Sequence, residues 1–210
     1  MIDLGCAWRR GGSRLVARFA SAAGILLSAL LATQPASADS PRREVPQVVV
    51  EARRDGDAVL VEARSSLNAK ARIAWEVLTD YEHYPNFVPD LKSSQVLARA
   101  GNSVIVEQKG VAGFFLFHFP LEVRLSVTEY PYERVTSSAI GGNFKDMAGV
   151  YELISDGERL HVTYVGRLVP TFHLPPLLGV TAIRIAVEKQ FTGLVREILR
   201  REALQANQTP

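Results

Sequence analysis

The chain has 210 residues, enough for one domain of ordinary size with an appendage. Its 47% apolar and 22% charged content is that of a globular protein and excludes a disordered chain. A formal net charge of only +2 lacks the strongly basic face that nucleic-acid binding requires, so no nucleic-acid partner is expected.

The N-terminal stretch stands apart from the fold. Arg9, Arg10, Arg14 and Arg18 form a basic start, and Phe19 to Ala32 is an apolar run. That run is shorter than the roughly 20 residues a membrane-spanning helix needs. Ala36-Ser37-Ala38 is a small-residue cleavage signature, with Asp39 after it. The three parts read as a secretory signal peptide over residues 1–38, cleaved after Ala38. The alternative, an uncleaved anchor, is disfavoured by the length of the run. Periplasmic or secreted location is the expectation. Removing residues 1–38 takes away four of 24 basic and one of 22 acidic residues, leaving 20 against 21 and a net charge of −1. It also removes Cys6, the one cysteine, and with it any disulfide, thiol nucleophile or cysteine metal ligand.

Residues 39–46 are polar and proline-bearing, and read as a flexible leader. Residues 47–204 are expected to form a single domain. Gln47 to Arg54 and Ala58 to Ser66 are two β-like runs around Asp55-Gly56-Asp57, a hairpin signal. A helix follows, with Asn68 as its expected cap. Ala71, Ala74, Trp75 and Leu78 fall at i, i+3, i+4 and i+7 and define its apolar face. Pro85 and Pro89 rule out a long continuation. The helix therefore breaks near Asp80 into a short arm carrying Tyr81, Tyr84 and Phe87, too apolar for an ordinary solvent loop.

Six further β runs follow, joined by short turns. Leu121, Val123, Leu125 and Val127 alternate with Glu122, Arg124, Ser126 and Thr128, a strand with one wet face. Short connections require antiparallel pairing, since parallel strands need crossovers of a dozen or more residues. The last element is a long helix over about 181–204. Ile183, Val187, Phe191, Leu194 and Ile198 form its apolar stripe, and Glu197 and Arg201 a solvated i, i+4 pair. A frayed tail, 205–210, ends the chain. Strand, helical passage, antiparallel strands and long helix make an α+β pattern with helices on one face of a sheet.

The segment Ala74-Trp75-Glu76-Val77-Leu78-Thr79-Asp80-Tyr81-Glu82-His83-Tyr84-Pro85-Asn86-Phe87-Val88-Pro89 resembles the polyketide cyclase/dehydrase and lipid-transport family of the START-like (SRPBCC) superfamily. It is most similar to the coenzyme Q-binding branch, where a helix ends in an aspartate-led, Tyr-Pro-containing turn. The resemblance implies a helix-grip, or START/Bet v 1-like, fold. In that fold a seven-stranded curved antiparallel sheet wraps a long C-terminal helix around an apolar tunnel. The same scaffold hosts carriers, cyclases and hydrolases. The ligand this resemblance implies is a hydrophobic small molecule: a lipid, an isoprenoid or quinone, or a polyketide-like compound. The strand Gln47 to Arg54 is an addition to the family pattern.

Tunnel walls should come from the apolar faces: Val106, Phe115, Phe117, Leu125, Val127, Tyr151, Val162, Tyr164, Ile183, Val187 and Phe191. For each, plain core packing is the competing reading. Two apolar segments stand out, Gly110 to Pro120 and Pro170 to Leu178. The first reads either as a lid that makes transient membrane-surface contact or as buried strand. The second reads either as a cavity entrance or as packing at the start of the last helix. His118 and His173 lie in these segments and are candidate polar contacts near the mouth. Arg124, Asp146 and Arg167 are candidates for a polar head group. No histidine pair has a metal-ligand spacing, no Gly-x-Ser-x-Gly elbow is present, and no cofactor or catalytic residue is expected. Three functions remain: an exported carrier, a cyclase or dehydrase acting on a bound polyketide-like substrate, and an envelope interaction module.

Overall fold

Two hairpin strands open the fold, β1 (Val48–Asp55) and β2 (Ala58–Leu67), followed by α1 (Ala71–Leu78) and a 3-10 segment, Tyr81–Asn86. Six strands come next: β3 (Leu91–Ala100), β4 (Ser103–Phe114), β5 (Phe117–Tyr130), β6 (Arg134–Gly142), β7 (Phe144–Ser155) and β8 (Leu160–Pro170). Helix α2, Gly179–Ala206, closes the chain. The computed structural model describes residues 47–114, 117–157, 159–171 and 179–208, with the backbone alone at 112–114, 117 and 119. These residues fall in one compact unit, 43–210. The expected signal peptide and leader lie outside them.

All eight strands form one antiparallel sheet in the order β1-β2-β8-β7-β6-β5-β4-β3. The resemblance implied seven strands. The eighth is β1, an edge strand paired with β2 from Val48↔Ser65 to Asp55↔Ala58. The passage through α1 and the 3-10 segment carries the chain from β2 to the far edge at β3. Register shifts in β3, between Arg124 and Leu125 of β5, and at the start of β7 mark bulges, which bend strands and increase their twist.

The core lies between one face of the sheet and the two helices. Inward positions follow strand alternation: Val104 and Val106 on β4, Val123, Leu125 and Val127 on β5, Leu160, Val162 and Tyr164 on β8. On α2, Val187, Phe191, Leu194 and Ile198 are buried and Ile183 packs partly against them, which is the expected stripe. The helix runs to Ala206, past the point where the tail was expected to begin.

Helix α1 departs from expectation in two ways. Its N-cap is Lys70, with no side-chain cap hydrogen bond, so Asn68 does not cap it. The Lys70 N–H instead donates to Glu202 Oε2 of α2 at 2.9 Å. Its buried face is Ile73, Ala74, Val77 and Leu78. Trp75 sits at the rim, its ring edge-on to Tyr132 at 5.9 Å between centroids. The segment Gly110 to Pro120 is strand backbone on both sides of residues 115–116. His118 and Pro120 are exposed, so this run is not buried on both faces.

Candidate functional site

The arm after α1 is clasped onto α2. Arg201 donates through Nη2 to Asp80 Oδ2 at 2.6 Å and through Nε to Glu197 Oε1 at 2.7 Å. Arg200 donates to both oxygens of Glu197 at 2.7 Å. Glu197, expected on the solvated face, is 7% exposed. It lies there because two guanidinium groups satisfy its oxygens, the condition for burying a carboxylate. The hydrogen bonds from Arg200, then Arg201, hold its carboxyl below the ordinary carboxylate value against the effect of burial. At Asp80 burial opposes ionisation, but hydrogen bonds from Arg201 and His83 outweigh it and lower the pKa. Backbone contact is equally close. A Cβ on Gly193 would meet the Phe87 carbonyl oxygen at 2.2 Å and Pro89 Cδ at 2.9 Å, so only glycine lets arm and helix approach this far.

Between arm, sheet and helix lies a cavity of about 90 Å³. The arm and the chain after it contribute Tyr81, Tyr84, Val88 and Leu91. The sheet contributes Val106 and Gln108 from β4, Leu125 and Val127 from β5, Val135 and Ser137 from β6, Met147 and Tyr151 from β7, and Tyr164 from β8. Val187, Gln190 and Leu194 of α2 complete it. Phe87 lies behind this wall, its ring edge-on to Tyr84 at 5.5 Å and with the Arg201 guanidinium 5.8 Å from its centroid. The expected arm therefore supplies one wall.

Tyr151 and Tyr164 are cross-strand partners with ring centroids 4.6 Å apart, and Tyr151 lies parallel to Phe191 of α2. The Tyr164 ring rests over the glycine pair Gly149↔Gly166: a Cβ on either would come within 2.9 Å of it. The tyrosines divide by what their hydroxyls do. Tyr84 donates to the Leu78 carbonyl at 2.6 Å. Tyr81 donates to Glu129 Oε1 at 3.0 Å, and Arg99 completes that buried carboxylate at 2.8 Å. Tyr151, Tyr164 and Gln190 have no side-chain hydrogen-bond partner among the described residues, while no sealed polar side-chain atom there lacks one. Their polar atoms are therefore not sealed, and all three residues line the cavity. Gln108 makes only a long contact, 3.4 Å, to Ser94 Oγ.

Burial pushes Tyr164 up to about 12 and Tyr151 well above its ordinary value, the latter also through its neighbours Tyr164 and Tyr84. Burial likewise raises Tyr84 and Tyr81, with Glu129 adding to the effect at Tyr81. All four are neutral at physiological pH. The cavity is thus an apolar wall with neutral hydrogen-bonding groups set into it.

Of the expected wall residues, Val106, Leu125, Val127, Tyr151, Tyr164 and Val187 line the cavity. Val162 and Phe191 are buried beside it in the core, and Ile183 packs against that core. Phe115 and His173 lie outside the described residues, as does the Phe117 side chain. His118 is exposed on β5, opposite Gly113, and does not reach the cavity. Arg124 pairs with Glu107 at 2.9 Å and Arg167 with Asp146 at 2.8 Å, all of them away from the cavity. The lining residues that sequence reasoning missed include Val88, Leu91, Val135 and Met147 and the polar Gln108, Ser137 and Gln190. Gln108 continues the inward parity of Val104 and Val106, and Gln190 falls between Val187 and Leu194 on the apolar stripe.

A family model described as polyketide cyclase/dehydrase and lipid transport matches residues 67–201. Among solved structures, the ZhuI aromatase/cyclase from Streptomyces sp. R1128 is 15% identical with a TM-score of 0.59, over 71% of this chain and 96% of that one. A STAR-related lipid transfer protein from Xanthomonas axonopodis is 15% identical with a TM-score of 0.58, over 75% of this chain and 99% of that one. Human STARD10 is 15% identical with a TM-score of 0.59, over 76% and 72%. A search of curated protein sequences finds no match. At these identities the structural likeness speaks to the fold, a helix-grip sheet around a C-terminal helix. The matched model covers more than half of the sequence, and the chain belongs to the polyketide cyclase/dehydrase and lipid-transport family.

Proposed function

We propose that this protein is an exported binder or carrier of a hydrophobic small molecule, held between the sheet and α2. The observation that carries the reading is the cavity itself, an apolar space between the inward sheet face, the arm and α2. Its 90 Å³ is small beside the roughly 300–1,000 Å³ of common ligand pockets. Binding a longer molecule therefore requires side chains to yield, and Met147, unbranched and adaptable, lines the space where they would do so. Each buried CH₂ contributes about 0.8 kcal/mol, so a ten-carbon stretch offers roughly 8 kcal/mol before ordering costs. Two of the structural neighbours, one a lipid transfer protein and one an aromatase/cyclase, fit cargo of this class. Lipids, isoprenoids or quinones, and polyketide-like compounds are the candidates. Export rests on the signal-peptide pattern over 1–38. The test is organic extraction and mass spectrometry of protein purified from its native compartment. A reproducible apolar compound at near-stoichiometric yield is expected; repeated absence of any, with no binding of lipid or quinone probes, would overturn the reading.

One observation favours a second reading, a cyclase or dehydrase. Tyr151, Tyr164 and Gln190 line one cavity, where hydroxyls and amide could donate to a developing enolate oxygen. An enzyme of this kind would lose turnover on a polyketide-like substrate in Tyr164→Phe while keeping its affinity.

A further inference from the structure

Among the described residues, the cavity wall contains no Asp, Glu, Lys, Arg or His. The nearby buried or half-buried carboxylates are all engaged elsewhere. Glu129 is held by Tyr81 and Arg99, Asp80 by Arg201 and His83, Glu197 by Arg200 and Arg201, and Asp90 by Lys189 at 3.3 Å. Those three arginines are committed in the same contacts. Among the described residues, a carboxylate or phosphate entering the cavity would meet no counter-charge in its wall, and an ammonium no carboxylate; an ion buried unpaired is strongly disfavoured. Neutral hydrogen-bonding capacity is nonetheless present and uncommitted. Tyr164 is 7% exposed, has no side-chain hydrogen-bond partner among the described residues, and lines the cavity with a hydroxyl that is not sealed. Tyr151 on the neighbouring strand and Gln190 on α2 also line the cavity without a side-chain partner among the described residues, and the Gln108 amide is only loosely held at 3.4 Å.

We infer that the buried end of the ligand is uncharged and carries a ketone, ester or hydroxyl oxygen, received by Gln190, Gln108 and the Tyr151–Tyr164 pair. This rests on the binding reading above and narrows it to a class: neutral oxygenated hydrocarbons, as opposed to fatty acids, phospholipid head groups or amines. The two glutamine amides can both donate and accept, and the tyrosine hydroxyls add donors. A ketone or an alcohol is therefore equally well served.

The experiment titrates the purified protein with 2-octanone, 1-octanol, octanoate and octylamine by calorimetry at pH 7.5, and repeats octanoate at pH 4.5. The neutral pair should bind at least ten-fold tighter than either ion at pH 7.5, and octanoate should tighten as its carboxylate protonates. Gln190→Met should weaken 2-octanone about five-fold, the worth of one net hydrogen bond, with an unchanged melting temperature. Gln108→Met is the second variant should the first unfold. Octanoate or octylamine binding as tightly as the neutral probes would overturn the inference and leave the binding reading standing. A 2-octanone affinity equal to that of the unsubstituted protein in the folded variant would overturn the assigned oxygen site. Binding of none of the four would overturn this inference together with the reading it rests on.

Discussion

Replacing Arg201 with Met tests how the arm is held on α2, because one side chain touches the arm at two points and its own helix at a third. Its guanidinium bonds Asp80 of the arm and Glu197 of its own helix, and lies 5.8 Å from the Phe87 ring centroid. A hydrogen bond to a charged group contributes about 1.5–3 kcal/mol. Two such bonds are lost, but each loss is tempered. The Asp80 side chain is 23% exposed and keeps His83, while Glu197 keeps both bonds from Arg200. A net cost of about 2–4 kcal/mol follows. That corresponds to a fall in melting temperature of roughly 5–15 °C for a domain of this size. Urea unfolding measures it, with an unchanged m-value if the native state stays intact. The pH dependence has a definite sign. Asp80 and Glu197 have lowered pKa values in the fold. Their stabilisation is present above the ordinary carboxylate value near 4 and is lost as pH falls through the folded values. The deficit of the variant should therefore be full at pH 7 and shrink below about pH 4. A cost under about 0.5 kcal/mol, or a deficit that grows on acidification, would refute the clasp.

Three other substitutions probe neighbouring parts of the account. Gly193→Ala places a methyl 2.2 Å from the Phe87 carbonyl oxygen and should cost about 1–3 kcal/mol or more by chemical denaturation, as overpacking does. Tyr81→Phe removes one of the two partners of buried Glu129 and should cost about 1–2 kcal/mol, read in the same assay. Val187→Phe fills the cavity from α2 and should weaken binding of 2-octanone at least ten-fold in calorimetry, with the domain still folded by circular dichroism.

The sheet was legible because alternation is local. Leu121, Val123, Leu125 and Val127 each report a face from their own neighbours, and the turn residues limited the connections to antiparallel ones. The long helix was legible for the same reason, through its repeated apolar stripe. Helix α1 was harder. Eight residues allow two plausible faces, and the bulk of Trp75 favoured the wrong one; the choice is made by where α1 meets the sheet and α2, which no local pattern encodes. Glu197 was misread because an i, i+4 pair with Arg201 looks the same on a wet surface as under an arm that brings Asp80 to the same guanidinium across 121 positions. The cavity's polar groups were missed for a related reason. Gln108 and Gln190 sit at apolar positions of correct period, where a polar residue reads as an imperfection until the facing element shows that it borders a space.

The central claim is that a hydrophobic molecule binds between the sheet and α2. Methyl-resolved NMR with stereospecific Leu and Val labelling measures this directly during a titration with 2-octanone. The account predicts saturable shifts and ligand-to-methyl contacts at Val106, Leu125, Val127 and Val187, with Val165 on the outer face of the sheet unmoved. Contacts confined to Val165 and other exposed positions, or no saturable shift at the four cavity methyl groups, would contradict it.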